Sequence, residues 1–407
     1  MALPFEKDTF PGKPKILFIG LPQSSHTHAW IDLLKSQEFN MRLFGLPTGM
    51  PPANWQVKVY ITLPNREKRR RSIRKQLYLP GRPGSLQKKI LAYLGIAKDE
   101  RHLAHVIRSW KPDVIHTLGL DPASYFYAAA RKKFNLKKIG KWLVQIRGGS
   151  DLALTRHHPA ARESIRQMLT ECDQVIFDNS ANAKILEEIG IPRSKFASIA
   201  PVPGSGGIEA DMPAMAIPPS QRERIIVWPK AYECQWSKAQ PVLAAIRSAW
   251  EKMQPCEIYL LAATPEIADW VLSWPEEIRA HCHVSGRIAR KDALALLKRA
   301  RIMLAPSLID GIPNSLYEAM TYGVFPIVSP LESIGTVVRN EENVLFARNL
   351  YPDEIAGALI RGMNDDGLVD KAVRNNLQLA AAIADREMIR AKVIQYYAGI
   401  LQDRVSL

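Results

Sequence analysis

The sequence predicts an α/β protein made of two doubly wound domains, and three observations carry that prediction. Short apolar runs alternate with amphipathic segments along the chain, the pattern of parallel strands laid between covering helices. At 407 residues the chain exceeds what one hydrophobic core normally serves. Between two such series lies PVPGSGGIEADMPAMAIPPS (Pro201 to Ser220), dense in proline, glycine and small residues, which reads as a connection between domains.

Taken in order, KILFIG (Lys15 to Gly20) is a buried strand, followed by the turn-rich LPQSSHTHAW and a helix over WIDLLKSQ. VKVYITL is the next strand, and a basic stretch with PGRPGS separates it from a helix over LQKKILAYLGI. KPDVIHTLGL carries a strand with His116 near its end, and WLVQIRGGSD one whose exit loop holds Arg147 and Asp151. The helix RESIRQMLTECD leads to the strand QVIFDNS, and ANAKILEEIGI is a helix that Gly190 stops. The second series runs through ERIIVWPK, EIYLLAA, HCHVSGRI, ARIMLAPS and GVFPIVS. From Asp353 onward the apolar spacing is helical, at Ile355, Leu359 and Met363 and again at Ile389, Val393 and Tyr397. The expected layout is a first domain over 1–205 with a basic insertion near 65–89, a linker over 206–222, a second domain over 223–385 and a last helix over 386–407 that crosses back to the first domain.

Composition narrows the function classes. An apolar fraction of 47% excludes wholesale disorder. No apolar run reaches the ~18 residues of a membrane span, and MALPFEKDTFPGK lacks a basic-then-apolar leader, so the expected location is the cytosol. Four cysteines without CxxC spacing argue against a disulfide framework and a structural zinc site. The net charge of +15 is concentrated: ten Lys or Arg face one Glu between Ile61 and Ile90, densest around Arg69, Arg70 and Arg71. RKKFNLKKIGK (Arg131 to Lys141) is a second block without an acid. Such blocks are either solvated faces or sites for an anionic partner, and anionic membrane or nucleic acid both fit the charge. Few aromatics interleave with them, which disfavours a single-strand groove.

The most informative stretch is DGIPNSLYE, Asp310 to Glu318, between the apolar runs ARIMLAPS and GVFPIVS. The unit reads strand, loop, helix, strand, which puts Asp310 in the crevice outside the carboxyl ends of parallel strands. Pro313, Asn314 and Ser315 suit a first helical turn, where Asn and Ser oxygens cap free amides. The amides of Asn314, Ser315 and Leu316 are expected to face the crevice, with the half positive charge of a helix start behind them, suited to a phosphate. Glu318, one turn in, suits a neighbouring diol such as a ribose. Spacing alone also allows an ordinary helix start with acids near its positive end.

Two βα domains, a linker, and an acid pair flanking this loop resemble a GT-B glycosyltransferase of the retaining family 4 type (glycosyl transferases group 1). The likeness covers most of the chain and is strongest from Arg287 to Phe346. The family's Glu-x7-Glu stands here as Asp310-x7-Glu318, one methylene shorter at the first acid. The resemblance implies that Asp310 binds donor-sugar hydroxyls, that Glu318 holds the nucleotide ribose, and that the amides of Gly311, Ile312, Pro313, Asn314 and Ser315 (Pro313 as part of the loop) meet the sugar and diphosphate. The family's basic pair falls on Lys230 and Lys238, cations for a leaving group whose charge grows as the glycosidic bond breaks. Gly286 and Arg287 fall where backbone meets the base. In the first domain a frequent histidine is replaced by Arg147, which cannot serve as a base. Arg147 and Asp151 are expected to orient sugar, while Gly20 and the loop with His26 approach the phosphates from the opposite side.

The function so implied is transfer of a sugar, with retention of configuration, from a UDP- or GDP-linked donor to a glycan or lipid-linked acceptor. The place is the cytoplasmic membrane surface, with Arg69 to Arg71 facing anionic lipid, and the product an envelope polysaccharide or glycoconjugate. No cofactor is expected. No metal is expected either: His26 and His28 form a bare H-x-H and no DxD follows a strand. Two alternatives remain open: a nucleotide-sugar epimerase of the same fold, and a basic nucleic-acid-binding protein.

Overall fold

The computed structural model describes residues 5–61, 77–78, 98–148, 150–215 and 217–402. The segment with Arg69, Arg70 and Arg71 and the helix expected over LQKKILAYLGI lie outside the described residues.

Among the described residues thirteen strands form two all-parallel sheets. In chain order they are β1 (Lys15–Gly20), β2 (Asn40–Gly45), β3 (Lys58–Ile61), β4 (Leu77–Tyr78), β5 (Val114–Leu118), β6 (Lys141–Gln145) and β7 (Gln174–Ile176), then β8 (Glu223–Trp228), β9 (Glu257–Leu260), β10 (Cys282–Val284), β11 (Ala300–Ala305), β12 (Phe325–Val328) and β13 (Leu345–Phe346). The first sheet is ordered β4-β3-β2-β1-β5-β6-β7 and the second β10-β9-β8-β11-β12-β13. Chain order therefore reverses between β1 and β5 in one sheet and between β8 and β11 in the other. Those two reversals are where a doubly wound sheet opens a crevice for ligands, and here they face each other.

Each sheet is apolar on both faces, as a helix-covered parallel sheet must be. Ile16 and Phe18 pack on one side of β1, and Leu17 and Ile19 on the other. In β8, Ile226 and Trp228 face the helices Ala239–Met253 and Pro352–Asn364, while Ile225 and Val227 face Asn314–Thr321. The last helix, Arg386–Gln402, lays Ile389, Val393, Tyr396, Tyr397 and Ile400 against Ile16, Phe18, Leu33 and Leu34 of the first domain.

Several expectations need correction. Strand β2 went unread because NMRLFG has polar Asn40 and Arg42 inside it; both are buried. Arg42 keeps its charge satisfied by Asp8 at 3.1 Å and lies over the Trp110 ring at 4.3 Å. The helix expected over WIDLLKSQ begins earlier, as Ser25–Ile31 followed by a 3₁₀ turn Asp32–Leu34, so His26 and His28 are helical rather than in a loop. The Pro201–Ser220 connection is closely packed at its two adjacent glycines. Gly206 and Gly207 have φ of +79° and +82°, and a Cβ at Gly206 would stand 2.5 Å from Leu33 Cδ1, one at Gly207 2.6 Å from Ala384 O. The block RKKFNLKKIGK is partly neutralised: buried Arg131 pairs with Glu171 at 2.8 Å, Lys137 with Glu171 and Lys133 with Glu100 each at 3.1 Å, and Lys141 donates to Ile400 O at 3.2 Å, while Lys132 and Lys138 stay exposed. No helix of the described residues is long and apolar enough to cross a membrane.

Candidate active site

The wall contributed by the second domain comes from the exits of β8 and β11. Lys230 leaves β8 and Asp310 leaves β11, and Lys230 Nζ lies 3.4 Å from Asp310 Oδ2. The acid is held in place: Asp310 Oδ1 accepts from Gly311 N at 2.9 Å, and Ser333 Oγ donates to the carbonyls of Asp310 and Gly311. Pro313 stands at the N-cap of the helix Asn314–Thr321, with no side chain capping it. Two of the amides expected to serve a ligand are therefore taken, Gly311 N by Asp310 and Leu316 N by Pro313 O at 2.9 Å. Asn314 N and Ser315 N remain as first-turn donors. The Asn314 side chain does not cap the helix; its Oδ1 accepts from Ser205 Oγ at 2.9 Å, and its Nδ2 lies 3.3 Å from His26 Nδ1. Ser315 Oγ is buried without a hydrogen-bond partner. Glu318 pairs with Arg290; burial raises its pKa, and the guanidinium opposes that rise.

The first domain's wall gathers side chains from separate segments. Asp151 Oδ2 accepts from Leu120 N and Arg147 N, each at 3.2 Å. Burial, with the Asp178 and Asp121 carboxylates adding to it, pushes the Asp151 pKa up to about 6 against those hydrogen bonds. Asp178 follows β7, is buried, and accepts from Asn179 Nδ2, Asn182 Nδ2 and Gly148 N; burial likewise raises it to about 6. Arg147 donates to Gln145 Oε1 at 2.6 and 3.0 Å, and burial draws its pKa down to about 10, so it stays charged at neutral pH. His26 keeps surface open to the cleft, yet enclosure by the two walls, and then the charges of Arg147, Lys230 and Arg290, hold it down at about 4. It is a neutral imidazole at physiological pH.

The walls touch at Gly311. A Cβ there would stand 2.7 Å from Asp178 Oδ2 and 2.8 Å from Gly148 Cα, so a glycine is what lets the domains close. Two cavities flank this contact. One of about 310 Å³ lies between the walls and is lined by His26, Asp121, Arg147, Asp151, Asp178, Lys230, Asp310 and Asn314 among others. The other, of about 270 Å³, opens beside Asp310 and Lys230 and is lined by Trp228, Tyr232, Trp236, Ile309 and Ser315.

The remaining expected residues stand apart. Lys238 precedes the helix Ala239–Met253, and its Nζ is 2.8 Å from Glu233 Oε1, whose other oxygen accepts from Ala239 N. The structure thus brings Lys230 to Asp310 and leaves Lys238 with Glu233. Gly286 and Arg287 are exposed, in the loop that carries Arg290 to Glu318. Gly20 lines neither cavity: it is buried, and a Cβ on it would meet Leu118 and Thr27 at 3.3 and 3.4 Å, so it serves close packing behind the His26 helix. His28 turns from His26, bonding Pro22 O at 2.7 Å and lying against Trp55. Among the described residues no group of three or more His, Cys, Asp and Glu is arranged to hold a metal ion. His116 is fully buried with its Nδ1 on Tyr397 OH, which is a structural place. Asp121, Asp178, Arg290 and the three aromatics were not anticipated; Asp121 and Asp178 carry the one available signal, a position just past the carboxyl end of a strand.

A family model described as Glycosyl transferases group 1 matches residues 272–379, the segment that holds Gly286, Arg290, Asp310 and Glu318. Comparison with curated protein sequences returns no match. Among solved structures, HepE of Anabaena in complex with UDP and glucose superposes with a TM-score of 0.65 at 14% identity, covering 95% of this chain and 100% of that one. Sucrose-phosphate synthase of Thermosynechococcus elongatus gives 0.65 at 14% identity over 96% and 100%. The lipopolysaccharide outer core galactosyltransferase WaaB, in its apo form, gives 0.57 at 14% identity over 90% and 99%. At such identities the likeness speaks for the fold. The chain has the GT-B fold, two Rossmann-like domains facing across a cleft, and within its second domain residues 272–379 are similar to the Glycosyl transferases group 1 model.

Proposed function

We propose that this chain is a retaining glycosyltransferase that moves a sugar from a nucleotide-diphosphate donor to a glycan or lipid-linked acceptor at the cytoplasmic membrane surface. The observation that carries the reading is the Lys230–Asp310 pair at 3.4 Å, set at the start of a helix whose next turn holds Glu318. A donor maps along that line: ribose at Glu318, diphosphate at the Asn314 and Ser315 amides, sugar at Asp310. Ribose hydroxyls replace Arg290 as partners of Glu318. HepE of Anabaena, solved with UDP and with UDP-glucose, makes uridine the first base to try.

The anomeric carbon loses its bond to the β-phosphate oxygen, and charge grows on the departing diphosphate. Lys230, Arg147 and the helix start offset that charge, with Lys238 joining once the diphosphate draws it from Glu233. The acceptor hydroxyl forms the new bond on the same face, and its proton goes to the departing phosphate oxygen. No protein base is then needed, which agrees with Arg147 in the histidine's usual place and with a His26 that is neutral but set among cations. No metal is invoked, because lysines and helix amides supply the positive charge.

Calorimetric titration with UDP and UDP-glucose tests the donor half: the protein should bind both, and Glu318→Ala should lose them. Turnover with Lys238→Ala should fall about 100-fold, as for a lost transition-state charge partner. Unchanged binding in the first variant and unchanged turnover in the second would refute the assignment. The membrane half rests on Arg69 to Arg71; anionic vesicles should retain the protein at low salt and release it when the three are neutralised.

A further inference from the structure

The cavity beside Asp310 is chemically unlike the rest of the cleft. The volume, about 270 Å³, takes a single monosaccharide; most of its wall is aromatic and apolar, from Trp228, Tyr232, Trp236 and Ile309, with Lys230, Ser307, Asp310 and Ser315 among its polar groups. Trp236 sits on a tight turn, with Cys234 and Ser237 exchanging backbone hydrogen bonds, and its own carbonyl accepts from Leu308 N at 2.8 Å. The backbone is therefore pinned while the residue remains 43% exposed, a rigid aromatic platform at the mouth. Opposite in character is Ser315, which lines the same cavity, is only 6% exposed, and has an Oγ without any partner. A buried hydroxyl left unpaired costs stability unless a ligand satisfies it.

An unmodified hexose suits this cavity poorly. Asp310, Lys230, Ser307 and Ser315 can take hydroxyls, but a hydroxyl laid against the Trp228, Trp236 and Ile309 surface finds no partner there. Resting on the reading of the cleft as a donor site, we infer that the sugar transferred is an N-acylated amino sugar of the 2-acetamido class. Its amide pairs with Ser315 Oγ, and its methyl group packs on the aromatic wall that Trp236 completes. A deoxy sugar would fill the wall but leave Ser315 orphaned, so the amide is the group that answers both features at once.

Titration of the full chain with UDP, UDP-glucose and UDP-N-acetylglucosamine decides the matter. The acetamido donor should bind at least about tenfold tighter than UDP-glucose, the scale of discrimination one well-seated substituent supplies. Trp236→Ala and Ser315→Ala should each cut that ratio below about threefold, with thermal melts confirming that the variants fold and UDP titration reporting that the nucleotide half is formed. Equal affinity for the two donors, or a preference for UDP-glucose, while UDP itself binds would overturn this inference and leave the glycosyltransferase reading standing. Failure of all three to bind would overturn that reading and this inference with it.

Discussion

The two walls of the cleft are built in opposite ways. On the second domain, Asp310, the first-turn amides and Glu318 come from nine consecutive residues, joined by Lys230 and the aromatics Trp228, Tyr232 and Trp236 at the end of β8 and after it, and by Arg290 after β10. On the first domain, the wall takes His26, Asp121, Arg147, Asp151 and Asp178 from the exits of four different strands. The walls also differ in charge: one pairs a cation with a helix start, the other crowds three carboxylates around an arginine. A contiguous wall is set by local structure, whereas a dispersed wall is set by how well its sheet and covering helices pack. The first domain's wall therefore takes its functional side chains from more separate segments than the Asp310–Glu318 unit does.

The sharpest way to break that comparison is to remove a distant support. Tyr397, from the last helix, is fully buried and bonds His116 on β5 and Trp30. Tyr397→Ala should destabilise the protein by about 3–5 kcal/mol, measured by denaturant unfolding, as for other large aromatic truncations. UDP affinity of the folded fraction should change far less, since Asp310 and Glu318 are held mainly by bonds within the second domain. An equal loss of both would mean that the walls are not independent.

Next in size is the contiguous wall itself. Lys230→Ala should lower kcat by about 100- to 1000-fold, while Lys230→Arg should recover part of it. A fall of less than about fivefold would show that Lys230 serves only to pair with Asp310. Gly311→Ala addresses the contact between the walls. Its Cβ would meet Gly148 Cα at 2.8 Å, so the domains must part slightly, and kcat/KM should drop about tenfold or more with the fold intact.

The smallest effect separates the walls by pH. Asp151 and Asp178, raised to about 6, hold protons in the fold that the unfolded chain has lost, so each makes stability fall as pH rises from about 4 to 6. His26, lowered to about 4, and His116, lowered well below its usual value by burial, act in the other direction over the same window. In the wild type these slopes offset one another. Asp178→Asn removes one carboxylate, so its stability should fall on acidification from pH 6 to 4 by about 1.4 kcal/mol per pH unit relative to wild type. Parallel curves for the two proteins would show that Asp178 titrates as an ordinary surface acid.

The same contrast explains how much was legible in the sequence. The alternation of strands and helices, and the Asp310–Glu318 unit, could be read because each depends on neighbours in the chain. Strand β2 was hidden by a buried arginine whose partners, Asp8 and Trp110, lie 34 and 68 residues away. Asp178 and Asp121 were overlooked because a position just past a strand marks the crevice but not a role, which appears only when the sheet brings these acids beside Arg147. Lys238 was named by spacing, but its pair with Glu233, five residues earlier, had no mark in the sequence. The second basic block showed no acid in sequence, and its partners Glu171, Glu100 and the end of the last helix come from distant segments.

A crystal structure with UDP bound tests the central claim most directly. The account predicts both phosphates within hydrogen-bond reach of Asn314 N, Ser315 N and Lys230 Nζ, and the ribose diol on Glu318 with Arg290 displaced. UDP seated away from this helix, or touching it with the Arg290–Glu318 pair still closed, would contradict it.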